Sequence, residues 1–231
     1  NRDKEAEDCY KKVIEKNPNS VDARTTYGYF LSYRGREKEA IREFNEVIKI
    51  DPSEVKVRNP LRYLNKEPQY IHANRARALI KSGKFDEAER EIGEAIRLNP
   101  NNALAHKTLG ILQEELGDRA QSEEDKLRLY EEAEKQYGKA IELNPMYPSA
   151  HRHLANTLAK LGRYKEAENE YQEAKKVVDS YPKNNRDFGV FLSKIGREEE
   201  AKRELELAMK SFKELGNKKE AEKVKELLKS L

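Results

Sequence analysis

Three histidines, His72, His106 and His151, recur 34 and 45 residues apart. Imidazole is the commonest metal ligand, so a regular series raises the question of a metal centre. Spacing argues against it. Helices pack about 10 Å apart, so equivalent side chains on successive helix pairs lie far beyond a metal–nitrogen bond of about 2 Å. His151 and His153, two residues apart on a helix, point to nearly opposite faces and chelate poorly. Lone Cys9 offers neither a disulfide partner nor a multi-cysteine zinc site, and fits a reducing compartment. No Gly-rich phosphate loop, H-E-x-x-H pair or nucleophile elbow occurs. The chain is therefore read as a non-enzyme, with no catalytic residue, metal or cofactor.

The elements that would carry these side chains show in the composition. Of 231 residues, 39% are charged and 36% hydrophobic, a balance that disordered chains also reach. Here Ala, Leu, Ile and Tyr recur at helical spacing between the charges, which predicts an ordered, almost wholly helical chain. No stretch approaches the roughly 20 apolar residues of a membrane span, and no charged start with a short apolar block resembles a secretory signal. A cytoplasmic protein without a membrane partner is expected. The 46 basic and 43 acidic side chains leave a formal charge of +3, too balanced to argue for nucleic acid. The sequence opens on Asn1 rather than Met, and further chain upstream is expected.

An alanine near each helix start sets a period: Ala6, Ala40, Ala88, Ala133, Ala167 and Ala201, at intervals of 34, 48, 45, 34 and 34. The two long intervals are 34 with insertions of 14 and 11 residues. The same grammar surrounds each alanine, as in Gly35, Ala40, Phe44, Val47, Pro52 and in Gly83, Ala88, Ile92, Ala95, Pro100. Steps of four and three put the apolar residues on one helix face, Gly ends the preceding helix, and Pro ends this one. Upstream of each Gly lies a second amphipathic stretch, such as "PSAHRHLANTLAKLG", so a unit is two helices joined by a short turn and paired antiparallel. Gly28, Ala76, Gly110, Ala155 and Gly189 share one register, where a missing side chain lets the paired helix approach.

Unit length, helix-turn-helix plan and the Gly/Ala…Gly…Ala…aromatic…Ala…Pro pattern resemble the tetratricopeptide repeat (TPR) family over nearly the whole chain. The resemblance implies an all-α, right-handed α-solenoid forming a single domain over 1–231. It divides into a half repeat at 1–20, repeats at 21–54, 69–102, 103–147, 148–181 and 182–215, an insertion at 55–68 and a cap helix at 216–231. The stripe Ala6, Tyr10, Val13 and Ile14 of the half repeat would face nothing upstream, as in a piece of a longer array. The bulky aromatic that the family carries early in the first helix is replaced by Arg24, His72, His106, His151 and Asn185, which makes those contacts more polar.

Both insertions hold candidate functional residues. In "VKVRNPLRYLNKEP", Lys56, Arg58, Arg62 and Lys66 surround Tyr63, an arrangement able to meet a ligand or phosphate; a plain loop docked by Leu61 and Leu64 is the alternative. Residues 119–129 lack Gly and Pro, and Ala120, Leu127, Tyr130, Ala133 and Tyr137 can share a stripe. A helix from about 119 to 143 is expected, standing about 16 Å taller than its neighbours.

In the TPR family the first helices line a concave groove that holds peptides. That face maps onto Thr25, Tyr29, Tyr33, Arg77, Lys81, Lys107, Ile111 and Glu115, then Arg152, Asn156, Lys160, Lys183, Arg186, Val190 and Lys194. Eight of these fifteen are basic and one is acidic. An acidic or carboxylate-bearing protein segment is the natural complement. Some relatives grip a terminal carboxylate with a basic residue, Asn four later, and another Asn one unit on. Arg152 and Asn156 match, but Asp187 stands at the third place. Read as surface residues, Arg152 and Arg186 should tolerate substitution at about 0.5 kcal/mol each. Competing readings are a nucleic-acid-binding solenoid, disfavoured by the charge balance, and a regulatory domain of a larger enzyme.

Overall fold

Alanine at the recurring register decides how the helices pack. In the computed structural model, which describes residues 2–34, 36–50, 68–178 and 181–231, Ala40, Ala88, Ala133, Ala167 and Ala201 have no exposed surface, and Ala6 is half-buried. Four residues on stand Phe44, Ile92, Tyr137, Tyr171 and Leu205, and three beyond those Val47, Ala95, Ala140, Ala174 and Ala208, all buried. The apolar stripe predicted from the spacing is thus the packing face of each second helix.

Among the described residues the chain forms twelve α-helices and no strand. They are α1 (Arg2–Lys16), α2 (Val21–Tyr33), α3 (Glu37–Ile50), α4 (Pro68–Lys81), α5 (Phe85–Leu98) and α6 (Ala103–Gly117). The remainder are α7 (Glu123–Leu143), α8 (Pro148–Lys160), α9 (Tyr164–Val177), α10 (Pro182–Lys194), α11 (Glu198–Glu214) and α12 (Lys218–Lys229). Gly83, Gly162 and Gly196 end the first helices of three pairs at φ of 76°, 76° and 80°, a left-handed conformation that side chains disfavour. The next residue then closes the helix, Lys84 donating to Leu79 O, Arg163 to Leu158 O and Arg197 to Leu192 O, each at 2.9 Å.

The chain divides into two compact units, residues 1–115 and 116–231. In the first, α2 pairs with α3 and α4 with α5, while α1 packs on α2 and α3 on α4. Its main cluster joins Tyr27, Leu31, Phe44, Val47 and Ile71, with Tyr10 stacked on Tyr27 at 5.8 Å between ring centres. In the second, α8 pairs with α9 and α10 with α11, α7 packs on α8, and α12 covers α11 through Ala221 and Val224.

The shared Gly/Ala register of the first helices has the predicted cause. A Cβ on Gly28 would lie 2.6 Å from Phe44 Cε1, and one on Gly189 would lie 2.7 Å from Leu205 Cγ and 3.1 Å from the Ala201 carbonyl. Each small residue receives the large side chain sixteen positions later. Gly189→Ala is expected to cost about 1–3 kcal/mol by overpacking, read as a lower urea midpoint at unchanged slope.

An unforeseen ladder of arginines joins successive second helices. Arg36 bonds Glu7 and Glu39, Arg163 bonds Glu134 and Glu166, and Arg197 bonds Glu168 and Glu200, all at 2.6–2.7 Å. Arg163 and Arg197 follow their turn glycines, and all three arginines reach back 29 residues to the preceding unit and forward three. Glu7, which also accepts from Tyr27 and Lys11, is drawn down to about 2, mainly by Arg36.

Two expectations change. The second insertion is not helical throughout: α7 begins at Glu123, where Ser122 Oγ accepts the Asp125 N–H and also donates to its carboxylate. α7 has 21 residues against 14 in α5 and α9, seven extra, or about 10 Å rather than 16. Ala120 lies in the turn, and Leu127 is 46% exposed rather than part of the buried stripe. Gly35, Pro52 and the first insertion from Val55 to Glu67, with its basic residues and Tyr63, lie outside the described residues.

Candidate functional site

The polar replacements for the family's aromatic fit one design. Arg24 Nη1 bonds Glu43, His72 Nδ1 bonds Glu91, His151 Nδ1 bonds Glu170 and Asn185 Nδ2 bonds Glu204, all at 2.7–2.8 Å and all 19 residues apart. Three of the series also reach a proline carbonyl six residues back: Arg24 to Pro18, His106 to Pro100 and His151 to Pro145, at 2.7, 2.8 and 3.1 Å. A hydrogen-bonded bridge thus ties the entering turn and both helices of a pair. The histidine series is structural: each ring bonds within its own helix pair or to the turn that enters it.

His151 faces an acceptor at each nitrogen, a setting that favours the doubly protonated ring. Its pKa is raised by the Glu170 hydrogen bond, which outweighs the opposing effect of burial, with the Pro145 carbonyl assisting. Raised in the folded state, the group contributes stability fully below the unfolded value near 6.5 and loses it as pH rises through the folded pKa. The parent is therefore expected to exceed His151→Gln in melting temperature by more at pH 6 than at pH 9; a pH-independent gap would refute the charged bridge.

On the first helices of the first unit, Tyr29 is half-buried, its ring edge-on to Phe44 at 5.7 Å, and its hydroxyl accepts from Asn74 Nδ2. Tyr33 is 58% exposed, with the Arg34 guanidinium 5.6 Å from its ring centre. Lys81 Nζ donates to the Ser32 carbonyl at 3.2 Å, and Lys107 is buried rather than displayed. Arg77 is half-buried and has no hydrogen bond or ion pair among the described residues.

The second unit brings its predicted residues together around a carboxylate. Asp187 Oδ2 accepts from Arg152 Nη1 at 2.5 Å and Asn156 Nδ2 at 3.3 Å, and Oδ1 from Arg186 Nε at 2.9 Å. Arg186 also bonds Glu220 on α12 at 2.6 Å, and Asn156 Oδ1 accepts the buried Tyr171 hydroxyl at 2.5 Å. Burial pushes the Asp187 pKa up, but the Arg152 and Arg186 charges prevail and hold it below the usual range. Arg152 is only 8% exposed, so the expectation of a tolerant surface arginine is corrected: it is a buried ion-pair member. Lys160 is bound by Asp118 at 2.7 and 2.8 Å over the Tyr130 ring, whereas exposed Lys194 has no partner among the described residues. Sequence reasoning missed Asp187 and Asp118 as acceptors. The signal at Asp187 was present, an acid standing where an amide was expected.

Family models of the tetratricopeptide repeat match residues 9–42, 69–102 and 148–179, and one of the TPR repeat matches 130–162. The chain belongs to the tetratricopeptide repeat family. A DnaJ homolog subfamily C member 7 homolog of Schizosaccharomyces pombe is 27% identical over 90 residues, which is 39% of this chain and 18% of that protein's length. Among solved structures, the thermophilic TPR protein TTC0263 of Thermus thermophilus aligns with a TM-score of 0.75 and 19% identity, over 89% of this chain and 98% of that one. A tetratricopeptide repeat protein from Parabacteroides merdae aligns with a TM-score of 0.73 and 16% identity, over 99% and 77%. These likenesses establish the TPR solenoid fold. The family's repeats serve as protein-interaction scaffolds, and no described helix is long and apolar enough to cross a membrane.

Proposed function

We propose that the chain is a non-catalytic, cytoplasmic scaffold, built of the helix pairs 21–54, 69–102, 103–147, 148–181 and 182–215, whose first-helix face holds an acidic segment of a protein partner. The observation that carries this reading is Arg77, a half-buried guanidinium with no counter-charge among the described residues. A desolvated cation without an internal acceptor gains most from an external carboxylate, through charge-assisted bonds. Exposed Tyr33 offers a rigid aromatic surface that loses little entropy on contact. In the second unit, considered by itself, Lys194 is an unspent cation, while Arg152, Asn156, Arg186 and Lys160 hold Asp187 and Asp118.

Arg77→Glu is expected to weaken an acidic peptide at least tenfold with little change in melting temperature, measured by fluorescence anisotropy at two salt concentrations. Equal affinity in variant and parent would reject the site, and tighter binding of RNA than of the peptide would favour a nucleic-acid role.

A further inference from the structure

The second helices of the second unit run in the same direction, so α7, α9 and α11 end on one edge of its stacked hairpins. Each end presents an exposed apolar side chain: Met146, in the turn after α7, is 68% exposed, Val178 after α9 41%, and Leu215 after α11 67%. Helices pack about 10 Å apart, so the three stand as a row of separate tips. One exposed apolar residue needs no explanation, but one at every helix end along an edge is a pattern.

The charge of the protein is gathered at the last of these tips. Residues 209–219, which join α11 to α12, hold Lys210, Lys213, Lys218 and Lys219 against Glu214 alone. That balance of +3 equals the formal excess of the whole chain. All four lysines are exposed, and none forms a hydrogen bond or ion pair among the described residues. Neighbouring charges are spent within the unit: Lys139 on Glu142, Lys176 on Glu173, Lys175 on Glu204, and Glu220 on Arg186 and Lys223. Lys183 of α10 and Asp179, which lies outside the described residues, balance in formal charge. Lys218 and Lys219 occupy the first turn of α12, where the helix dipole disfavours cations, whereas α5, α7 and α11 begin with acids. Local stability therefore does not account for them. The turn is held by the Asn217 N–H, which donates to the carbonyl of buried Phe212 at 2.8 Å and fixes Leu215 at the apex.

Apolar tips among flexible cations match an anionic lipid surface. Nucleic acid would engage the lysines and leave Leu215 in water, and a folded protein would need a continuous complementary patch. A fluid interface accepts separate tips and meets the ammonium groups with anionic headgroups.

We propose that this edge of the second unit rests on a membrane surface bearing anionic lipids, with Leu215 entering the acyl boundary and Lys210, Lys213, Lys218 and Lys219 among the headgroups. Such contact needs no spanning helix and does not use Arg77. The test is co-sedimentation of the full chain with vesicles of phosphatidylcholine alone and of equal parts phosphatidylcholine and phosphatidylglycerol. Binding should be at least tenfold tighter to the anionic vesicles and should weaken as salt rises. Lys218→Glu combined with Lys219→Glu should cost at least tenfold in vesicle binding while raising or preserving the melting temperature, since acids suit that helix start. Leu215→Ser should weaken binding about fivefold at an unchanged melting temperature, and Arg77→Glu should bind as the parent does. Equal binding to both vesicles, undiminished binding by the lysine variant or by Leu215→Ser, or loss with Arg77→Glu would overturn the proposal. So would tighter binding of RNA than of the anionic vesicles, since it would assign the lysines to a nucleic acid.

Discussion

Asp187→Ala is expected to lower the free energy of unfolding of the second unit by about 3–5 kcal/mol. The residue accepts from three donors, and its removal leaves Arg152, 8% exposed, as a buried charge without a counter-ion. Asn156 and Arg186 lose an acceptor at the same time. Urea unfolding measures the loss, and an effect near that of an ordinary surface substitution would show that the ion pair does not form. The accompanying double variant, Asp187→Ala with Arg152→Met, should recover much of the stability, because it removes the stranded charge as well. The pH dependence has the opposite sign to that of His151. With its folded pKa depressed, Asp187 contributes above the unfolded value near 3.9, and the contribution is lost as pH falls through the folded pKa.

Tyr171→Ala is expected to cost about 3–5 kcal/mol, the range for deleting a buried aromatic ring. Tyr171 is 1% exposed, stacked on Phe188 at 5.0 Å and tilted on Phe191 at 5.5 Å, at the junction of α9 and α10. Tyr171→Phe separates the two halves of its role. The ring stays, and only the hydroxyl bond that orients the Asn156 amide toward Asp187 is lost, about 1–3 kcal/mol. Comparable costs for the two variants in urea unfolding would refute this division.

The framework was legible in the sequence because the interactions that build it repeat. Alanine at one register, a large apolar residue four later and glycine or alanine on the facing helix are set by backbone approach, which tolerates few residue types. The start of α7 was misplaced for a local reason. Absence of Gly and Pro does not make a helix, and Ser122 with Asp125 three residues on is the start signal that decided it. Charge pairing was not legible. With 39% of residues charged, the pairings that recur at 19 and 29 residues emerge only once the helix pairs are placed, and a pair outside the repeat, such as Lys160 with Asp118 across 42 residues, is chosen by rotamers that no period encodes. Hence the basic excess along the first helices was visible, while the acids that neutralise much of it were not.

The ladder formed by Arg163 and Arg197 has a mechanical corollary. Each rung ties the hairpin that bears it to the one before, through short Nη1–carboxylate bonds at the turn, two at Arg163 and one at Arg197. Tension applied at the carboxyl terminus should therefore peel the second unit stepwise, one hairpin per rupture, with the rung at Arg197 yielding before the rung at Arg163.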